Sequence, residues 1–421
     1  MKFKSVRRAM LTGLLIGMLT LAFGVYQIQA ESTTIIVPDD YPSIQEAINN
    51  ANEGDTIYVR NGTYYENVVV NKSISLIGEN RDATIIDGNS AGKVIEVTTS
   101  NVTINGFTML NSTGLVVYNS SSTTISHNKI IGNNYGILLN QSSNNALKNN
   151  TISGNSLFGI YLHHSNNNII IGNNISHNGL VLWMLWWSLD GIKLYNSSDN
   201  TIFHNNFVGN SVNTLGVDSV NVWDNGYPSG GNYWGSVGFD SADLYNGPSQ
   251  NVSGSDGIAD TPYDIHRDKQ DNYPLINPWS PTQTIVKMKG KDYPVTIVSN
   301  TTINLIVTTK NTLRFESLGP TGEKGYIHTI FPIVNTTEIK VFIDGEKLTP
   351  PPFPLINANA THYFIYFELT VSTHNIEFQF APTPDKLELV ALVSALTILL
   401  AVAVIVAVYV GKRKRNTEII S

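Results

Sequence analysis

Across the middle of the chain the apolar positions come in short runs separated by Asn, Gly and Ser, and they return at a long, nearly constant interval. In an Asn-x-Ile-like step the apolar member is Phe107, Ile130, Ile152, Ile175 and Phe207, with spacings of 23, 22, 23 and 32 residues. A second marker runs in step with the first. Gly114-Leu-Val-Val, Gly136-Ile-Leu-Leu, Gly159-Ile-Tyr-Leu and Gly191-Ile-Lys-Leu are 22, 23 and 32 residues apart. A period of 22–23 residues is too short for paired-helix repeats and shows no 3.6-residue pattern. Leucine-rich repeats share the length, but their leucine consensus is missing. Cut into short β-prone pieces, the repeat predicts a coil with three strands per turn. Turns stacked at ~4.8 Å place equivalent residues in ladders along the coil. Asn at the corners tolerates left-handed backbone and can stack its amide on the Asn above. Asn128, Asn150, Asn174 and Asn206 are assigned to such a ladder.

The pattern changes on both sides of the coil. Ser43-Ile-Gln-Glu46 is a capping box, and Ile44, Ala47, Ile48 and Ala51 share one helical face, which predicts a short helix covering the open first rung. Strands are expected at 56–59, 67–70, 73–77 and 93–97. Alternating runs at 303–309, 339–343, 363–369 and 376–380 predict a small antiparallel, Ig-like sandwich of about seven strands. Residues 389–410 form a 22-residue apolar run without a charge, broken only by Ser394 and Thr397, enough for a helix across a ~30 Å hydrocarbon core. Lys412, Arg413, Lys414 and Arg415 follow and assign that end to the cytoplasm. At the other end Lys2, Lys4, Arg7 and Arg8 precede an apolar stretch and Ile28-Gln29-Ala30, the pattern of a secretory signal. An uncleaved N-terminal anchor is the alternative.

The expected class is therefore all-β, in an exported chain anchored at the cell surface. The predicted order is a signal peptide at 1–30, a right-handed single-stranded parallel β-helix at 31–281 and an antiparallel β-sandwich at 282–381. A Pro-containing linker at 382–388, a transmembrane helix at 389–410 and a cytoplasmic basic tail at 411–421 complete it.

Charge and cysteine content narrow the chemistry. Residues 31–385 hold 17 Lys and Arg against 31 Asp and Glu, a net charge of about −14. A nucleic-acid partner requires a basic footprint, so none is expected. With no Cys in the chain, disulfides, thiolate metal sites and Cys nucleophiles are excluded. The exported part must be held by its core and by hydrogen-bond ladders.

Particular motifs carry a resemblance. Val37-Pro-Asp-Asp-Tyr-Pro-Ser-Ile-Gln-Glu-Ala-Ile, Gly54-Asp-Thr-Ile-Tyr-Val and Gly62-Thr-Tyr-Tyr-Glu-Asn-Val resemble the N-terminal rungs of pectinesterase-like β-helices. The later Asn/Gly rungs resemble the NosD-type, pectin-lyase-like family, which is often labelled copper-binding. Gly231-Asn-Tyr-Trp-Gly, Asp256-Gly-Ile-Ala-Asp-Thr-Pro-Tyr and Asp271-Asn-Tyr-Pro-Leu resemble the segment closing such helices in archaeal surface proteins. The resemblance covers about residues 35–280 and implies the fold; the scaffold hosts many activities.

Catalysis has little to draw on in the central rungs. From Gly88 to Leu189 the only charged residues are Lys93, Glu96, Lys129 and Lys148. A glycosidase needs two carboxylates flanking its bond, and the downstream Asp-bearing and Gly-Arg-Pro-Trp motifs of pectinesterases are missing. Copper is not expected on ligand grounds, since Met residues do not cluster, and His127 and His204 lie three rungs apart. The adjacent pair His163-His164 is expected to point apart. Asp240, Asp243, Asp256, Asp260, Asp268 and Asp271 fall in a Gly-rich stretch that suits structural calcium. A set of turn-forming Asp residues fits equally.

The long repeat carries an insertion, Leu180-Val-Leu-Trp-Met-Leu-Trp-Trp-Ser-Leu189, whose Trp183, Trp186 and Trp187 are hard to bury in the coil. They can dock on the coil's side, pack on a partner, touch lipid or stack on sugar rings. Register gives the loop its surroundings. Two residues after each marker Gly, an outward column is expected to read Val116, Leu138, Tyr161, Lys193, Asp218; four after, Tyr118, Asn140, His163, Tyr195, Val220. Tyr118, Tyr161, His163, Lys193 and Tyr195 thus share a face with the Trp loop, an arrangement suited to pyranose rings. Lys193 and Asp218 read as an ion pair between rungs. Frequent Asn-x-Ser/Thr sequons are candidate glycan acceptors.

The expected function is non-catalytic glycan binding or envelope organisation, with a polysaccharide or surface glycan, and other envelope proteins, as partners. The alternatives are a polysaccharide lyase or epimerase working near Asp190, Lys193, Tyr195, His163 and Asp218, or a protein-binding adhesin.

Overall fold

The computed structural model describes residues 32–179, 190–235, 242–265, 269–288, 291–309, 311–322, 324–332, 336–349 and 355–382. The predicted signal peptide, transmembrane segment, basic tail and Trp loop lie outside the described residues. Among those described, no helix is long and apolar enough to cross a membrane.

The repeat builds a right-handed parallel β-helix with three sheets of eight, eight and seven strands. The first sheet runs from Thr34–Val37 to Thr201–Phe203, the second from Gly62–Tyr65 to Tyr233–Gly235, and the third from Val68–Val70 to Val212–Val217. Each turn of chain contributes one short strand to each sheet. Because strands alternate their side chains, each three-residue strand of the first two sheets points its middle residue inward, and a four-residue strand such as Thr56–Val59 points two, Ile57 and Val59. Ile57, Leu76, Ile104, Ile125, Leu147, Ile170 and Ile202 stack in the first; Ile86, Met109, Ile130, Ile152, Ile175 and Phe207 stack in the second. All of them are fully buried, and each such burial contributes about 1.5–3 kcal/mol against chain entropy.

The Gly marker has a steric cause. A Cβ on Gly114 or Gly136 would overlap the carbonyl oxygen of the Gly one rung on, and on Gly159 it would lie 2.7 Å from that of Gly191. Rungs approach too closely there for any side chain.

The Asn ladder stands one residue from its expected place in two rungs. Asn128, Asn150, Asn173, Asn205 and Asn232 are buried, and each main-chain N–H donates to Oδ1 of the next at 3.0, 3.0, 2.9 and 3.1 Å. Asn174 and Asn206, the expected members, lie within strands and face outward. The inward Asn sits two positions before the core residue, so the residue between them must point away. Two further Asn ladders run through Asn133, Asn155, Asn178 and Asn210, and through Asn145, Asn168, Asn200 and Asn221. They satisfy corner amides that no strand pairing reaches.

Both ends of the coil are closed. The helix Ile44–Asn50, with Ser43 Oγ accepting the Glu46 N–H at 3.2 Å, buries Ile44, Ala47 and Ile48 over the first rungs. At the far end Phe207, Trp234 and Tyr263 form a stack with centroids 4.4 and 4.2 Å apart. The chain then makes two small hairpins, Tyr245–Asn246 with Val252–Ser253 and Tyr263–Ile265 with Lys269–Asp271.

The following unit has two five-stranded antiparallel sheets, ten strands rather than about seven. The short strands Glu346–Lys347 and Leu355–Ala358 lacked a long alternating run to betray them. The sandwich packs on the coil end through Ile258, Leu275, Trp279, Val298, Tyr326 and Tyr366.

Candidate functional site

The outer face of the third sheet gathers the aromatic residues. In Phe158–His163 the inward residues are Ile160 and Leu162, which leaves Tyr161 and His163 outside. Strand pairing aligns Val116, Leu138, Tyr161, Lys193 and Leu215 in one outward column, and Tyr118, Asn140, His163, Tyr195 and Val217 in the next. Asp218 therefore does not join the column of Lys193. The last rung is shifted, Leu215 takes that place, and Asp218 falls on the exposed corner with φ of 48°. No Lys193–Asp218 ion pair forms among the described residues. The Lys193 ammonium lies instead over the Phe158 ring, 4.9 Å from its centroid, a cation–π contact.

His163 and Tyr195 stack at 5.3 Å with planes 10° apart, and Tyr135 stacks on Tyr161 at 6.2 Å. Tyr161 links the two groups, 5.9 Å from His163 and 5.3 Å from Phe158. The rings of His163 and His164 meet edge to face at 4.3 Å, contrary to the expectation that they diverge. His164 occupies a positive-φ corner (49°), where strand alternation no longer holds. Asn140 Oδ1 lies 3.1 Å from His163 Nδ1. Partial burial, then the neighbouring His164, lowers the His163 pKa, which keeps the imidazole neutral at pH 7. Burial chiefly, then Tyr135 and Tyr195, raises the Tyr161 pKa, so its hydroxyl stays protonated.

Because the rings stack along the coil axis, their faces largely cover one another, and their edges and polar tips point outward. Tyr118 is the more open ring, 47% exposed. Carboxylates are scarce on this face. Asp190 is fully buried, and Glu96 lies three rungs from Tyr161 and is ion-paired with Lys93. Glycosidase chemistry needs two carboxyl groups within about 5–10 Å of each other, and no such pair stands here among the described residues. Tyr135 and Phe158 were not singled out from sequence, whereas Asn140 and His164 were named there, the one in the outward column and the other in a pair expected to diverge. The signal for the first two was available, since each directly precedes a marker Gly.

The Asp-rich segment is bound up in its own turns. Asp271 Oδ2 accepts N–H groups from Asn232 at 2.7 Å and from the Trp234 indole at 2.9 Å, which caps the Asn ladder. Asp243 accepts from Asp256 and Gly257, Asp256 from Ile258 and the Gln250 amide, and Asp260 from Leu244 and Tyr245. Burial pushes Asp243 up to about 7, Asp256 to about 6 and Asp271 to about 7. Asp240 and Asp268 lie outside the described residues. No group of three His, Cys, Asp or Glu among the described residues could hold a metal ion.

The segment from the capping helix to the last rung has counterparts. Residues 43–238 match the family of periplasmic copper-binding proteins (NosD). The NosD match ends within the closing segment, ahead of the sandwich. No curated protein sequence matches the chain. Solved structures similar to it include an alginate lyase from Paenibacillus sp. (16% identity, 45% of this chain and 76% of that one, TM-score 0.30). A carrot pectin methylesterase (16%, 44% and 65%, 0.33) and a tailspike protein of an Acinetobacter baumannii bacteriophage, a capsular polysaccharide depolymerase (11%, 84% and 84%, 0.32), are others. The copper of the NosD description finds no matching donor set among the described residues. Met109 is core, His204 is buried, and the His127 ring nitrogens lie 3.3 Å from Asn105 and Asn149. His163 and His164 offer two imidazoles without a third soft or nitrogen donor.

Proposed function

We propose that the protein binds a glycan on the outer face of the third sheet without altering it, displayed outside the cytoplasm by the predicted signal and membrane segment. The observation that carries this reading is the continuous array of Tyr135, Phe158, Tyr161, His163 and Tyr195 beside Lys193, with no facing pair of carboxylates among the described residues. Such a surface offers ring edges to the apolar parts of sugars. Tyr hydroxyls, the Asn140 amide and an ammonium are available to their hydroxyl groups.

The test is glycan-array binding by the full-length chain, with mass analysis of the captured glycan. Binding with unchanged mass that Tyr195→Ala and His163→Ala each weaken supports the reading. A shortened or epimerised glycan would move Lys193, Tyr195 and His163 into catalytic roles. Binding that survives both substitutions overturns the assignment of this face.

A further inference from the structure

A second concavity lies on a different side of the molecule, where the sandwich meets the first sheet. It encloses about 420 Å³. Its coil wall is an outward column, Lys148, Ile171 and Phe203, on three successive rungs. At ~4.8 Å per rung this wall is about 10 Å long, the length of a disaccharide. The opposite wall comes from the sandwich and includes His362 and Phe364.

The base of the cleft is rigid. Trp279 stacks on His204 at 3.6 Å with planes 14° apart, and Asn206 holds the Trp279 backbone through its amide, at 2.9 Å to the carbonyl and 2.6 Å from the N–H. Tyr326 Oη donates to the Pro278 carbonyl at 3.2 Å, and Asn357 Nδ2 donates to Tyr227 Oη at 2.7 Å, which fixes the sandwich against the coil. The cleft is thus preformed, at the kind of domain junction where ligand sites concentrate.

Its charge contrasts with the rest of the chain. Residues 31–385 carry about −14, yet the described residues lining this cleft include no Asp and no Glu, and Lys148 is their one Lys or Arg. Burial lowers the pKa of His204 to about 3 and lowers that of His362, so both imidazoles are neutral at pH 7. The remaining polar lining is amide and hydroxyl.

We propose that this cleft binds a short acidic saccharide, a uronate-type oligomer, with a carboxylate on Lys148 and a sugar ring against Phe203. An aromatic wall suits the apolar face of a pyranose, amides and hydroxyls suit its rim, and a lone ammonium without competing acids selects a carboxylate. The site is independent of the third-sheet face.

The experiment is calorimetric titration of the full-length protein with tetragalacturonate, and with neutral maltotetraose as the control. The acidic tetramer binds saturably and more tightly than the neutral one. Lys148→Met weakens it about tenfold or more, as expected for loss of a charge-assisted hydrogen bond. Phe203→Ala also weakens it, and Lys148→Glu abolishes it. Tyr195→Ala leaves it unchanged, and thermal midpoints show that each variant is folded. Absence of saturable binding at millimolar tetramer overturns the proposal. So does binding that is insensitive to Lys148→Glu and Phe203→Ala, or that is lost instead in Tyr195→Ala.

Discussion

Two neighbouring Asn residues should differ sharply in their response to the same substitution. Asn173 is fully buried, and its carboxamide makes five hydrogen bonds. Oδ1 accepts from the Asn150 main-chain N–H at 3.0 Å and from Asn150 Nδ2 at 2.9 Å. Nδ2 donates to the carbonyls of Leu147 at 2.9 Å and Ile171 at 3.2 Å, and to Asn205 Oδ1 at 2.9 Å. Asn173→Ala leaves the buried Asn150 N–H without an acceptor, while Asn150 Nδ2 keeps its bond to Ile125 at 2.9 Å. One orphaned buried donor costs about 1–3 kcal/mol, and the lost bonds to two carbonyls and an amide bring the expected total to about 3–5 kcal/mol. Asn174 is exposed, so Asn174→Ala should change stability by no more than about 0.5 kcal/mol. Thermal unfolding followed by circular dichroism separates the two, with a loss on the order of 10 °C for the first and near zero for the second. Denaturant midpoints provide a check at constant temperature. If the two variants agree within about 1 kcal/mol, the ladder does not hold the coil together.

Gly136→Ala should cost about 3 kcal/mol or prevent folding, because its Cβ overlaps a backbone oxygen that cannot yield. Gly132→Ala, in open space at φ of 64°, should cost only about 1–2 kcal/mol; equal midpoints for the two would refute the close-approach argument. Burial holds the His328 imidazole at about 4 against the usual 6.5, so the folded state binds fewer protons than the unfolded state between those values. That contribution to stability is complete above pH 6.5 and is lost as pH falls toward 4. The raised carboxyl groups of Asp243, Asp256 and Asp271 act in the opposite sense, so the comparison is with His328→Phe, whose midpoint should gain less, or fall further, than that of the parent chain as pH rises from 4 to 6.5. An unchanged slope would refute the buried, neutral imidazole. Since the described Asp carboxylates already accept main-chain amides, chelator treatment should move the melting midpoint by less than about 2 °C; a larger fall would establish a structural cation in the closing segment.

Much of the coil was legible because a stacked solenoid repeats the same local demands every turn. The 22–23-residue period, the apolar columns, the Gly contacts and the capping helix all arise from short-range geometry, and each recurs often enough to be read. Tyr161, His163, Lys193 and Tyr195 could be placed on one face for the same reason, since alternation holds within a strand. Alternation failed at the corners. His164 and Asp218 sit there with positive φ, so their directions follow the turn and not the strand.

What the sequence by itself determined, then, is whatever repeats or is contiguous: the solenoid, its period, the inward and outward sets, and the acidic balance. Tertiary structure alone decided the rest. It made Asp271 the cap of the Asn ladder, although its partners Asn232 and Trp234 lie 39 and 37 residues away. It also joined Lys148 and Phe203 to His362 across the junction of two units. The reason is physical. Local patterns record only what neighbouring residues require of one another, whereas an end cap and a cleft between units form only once distant surfaces have closed on each other.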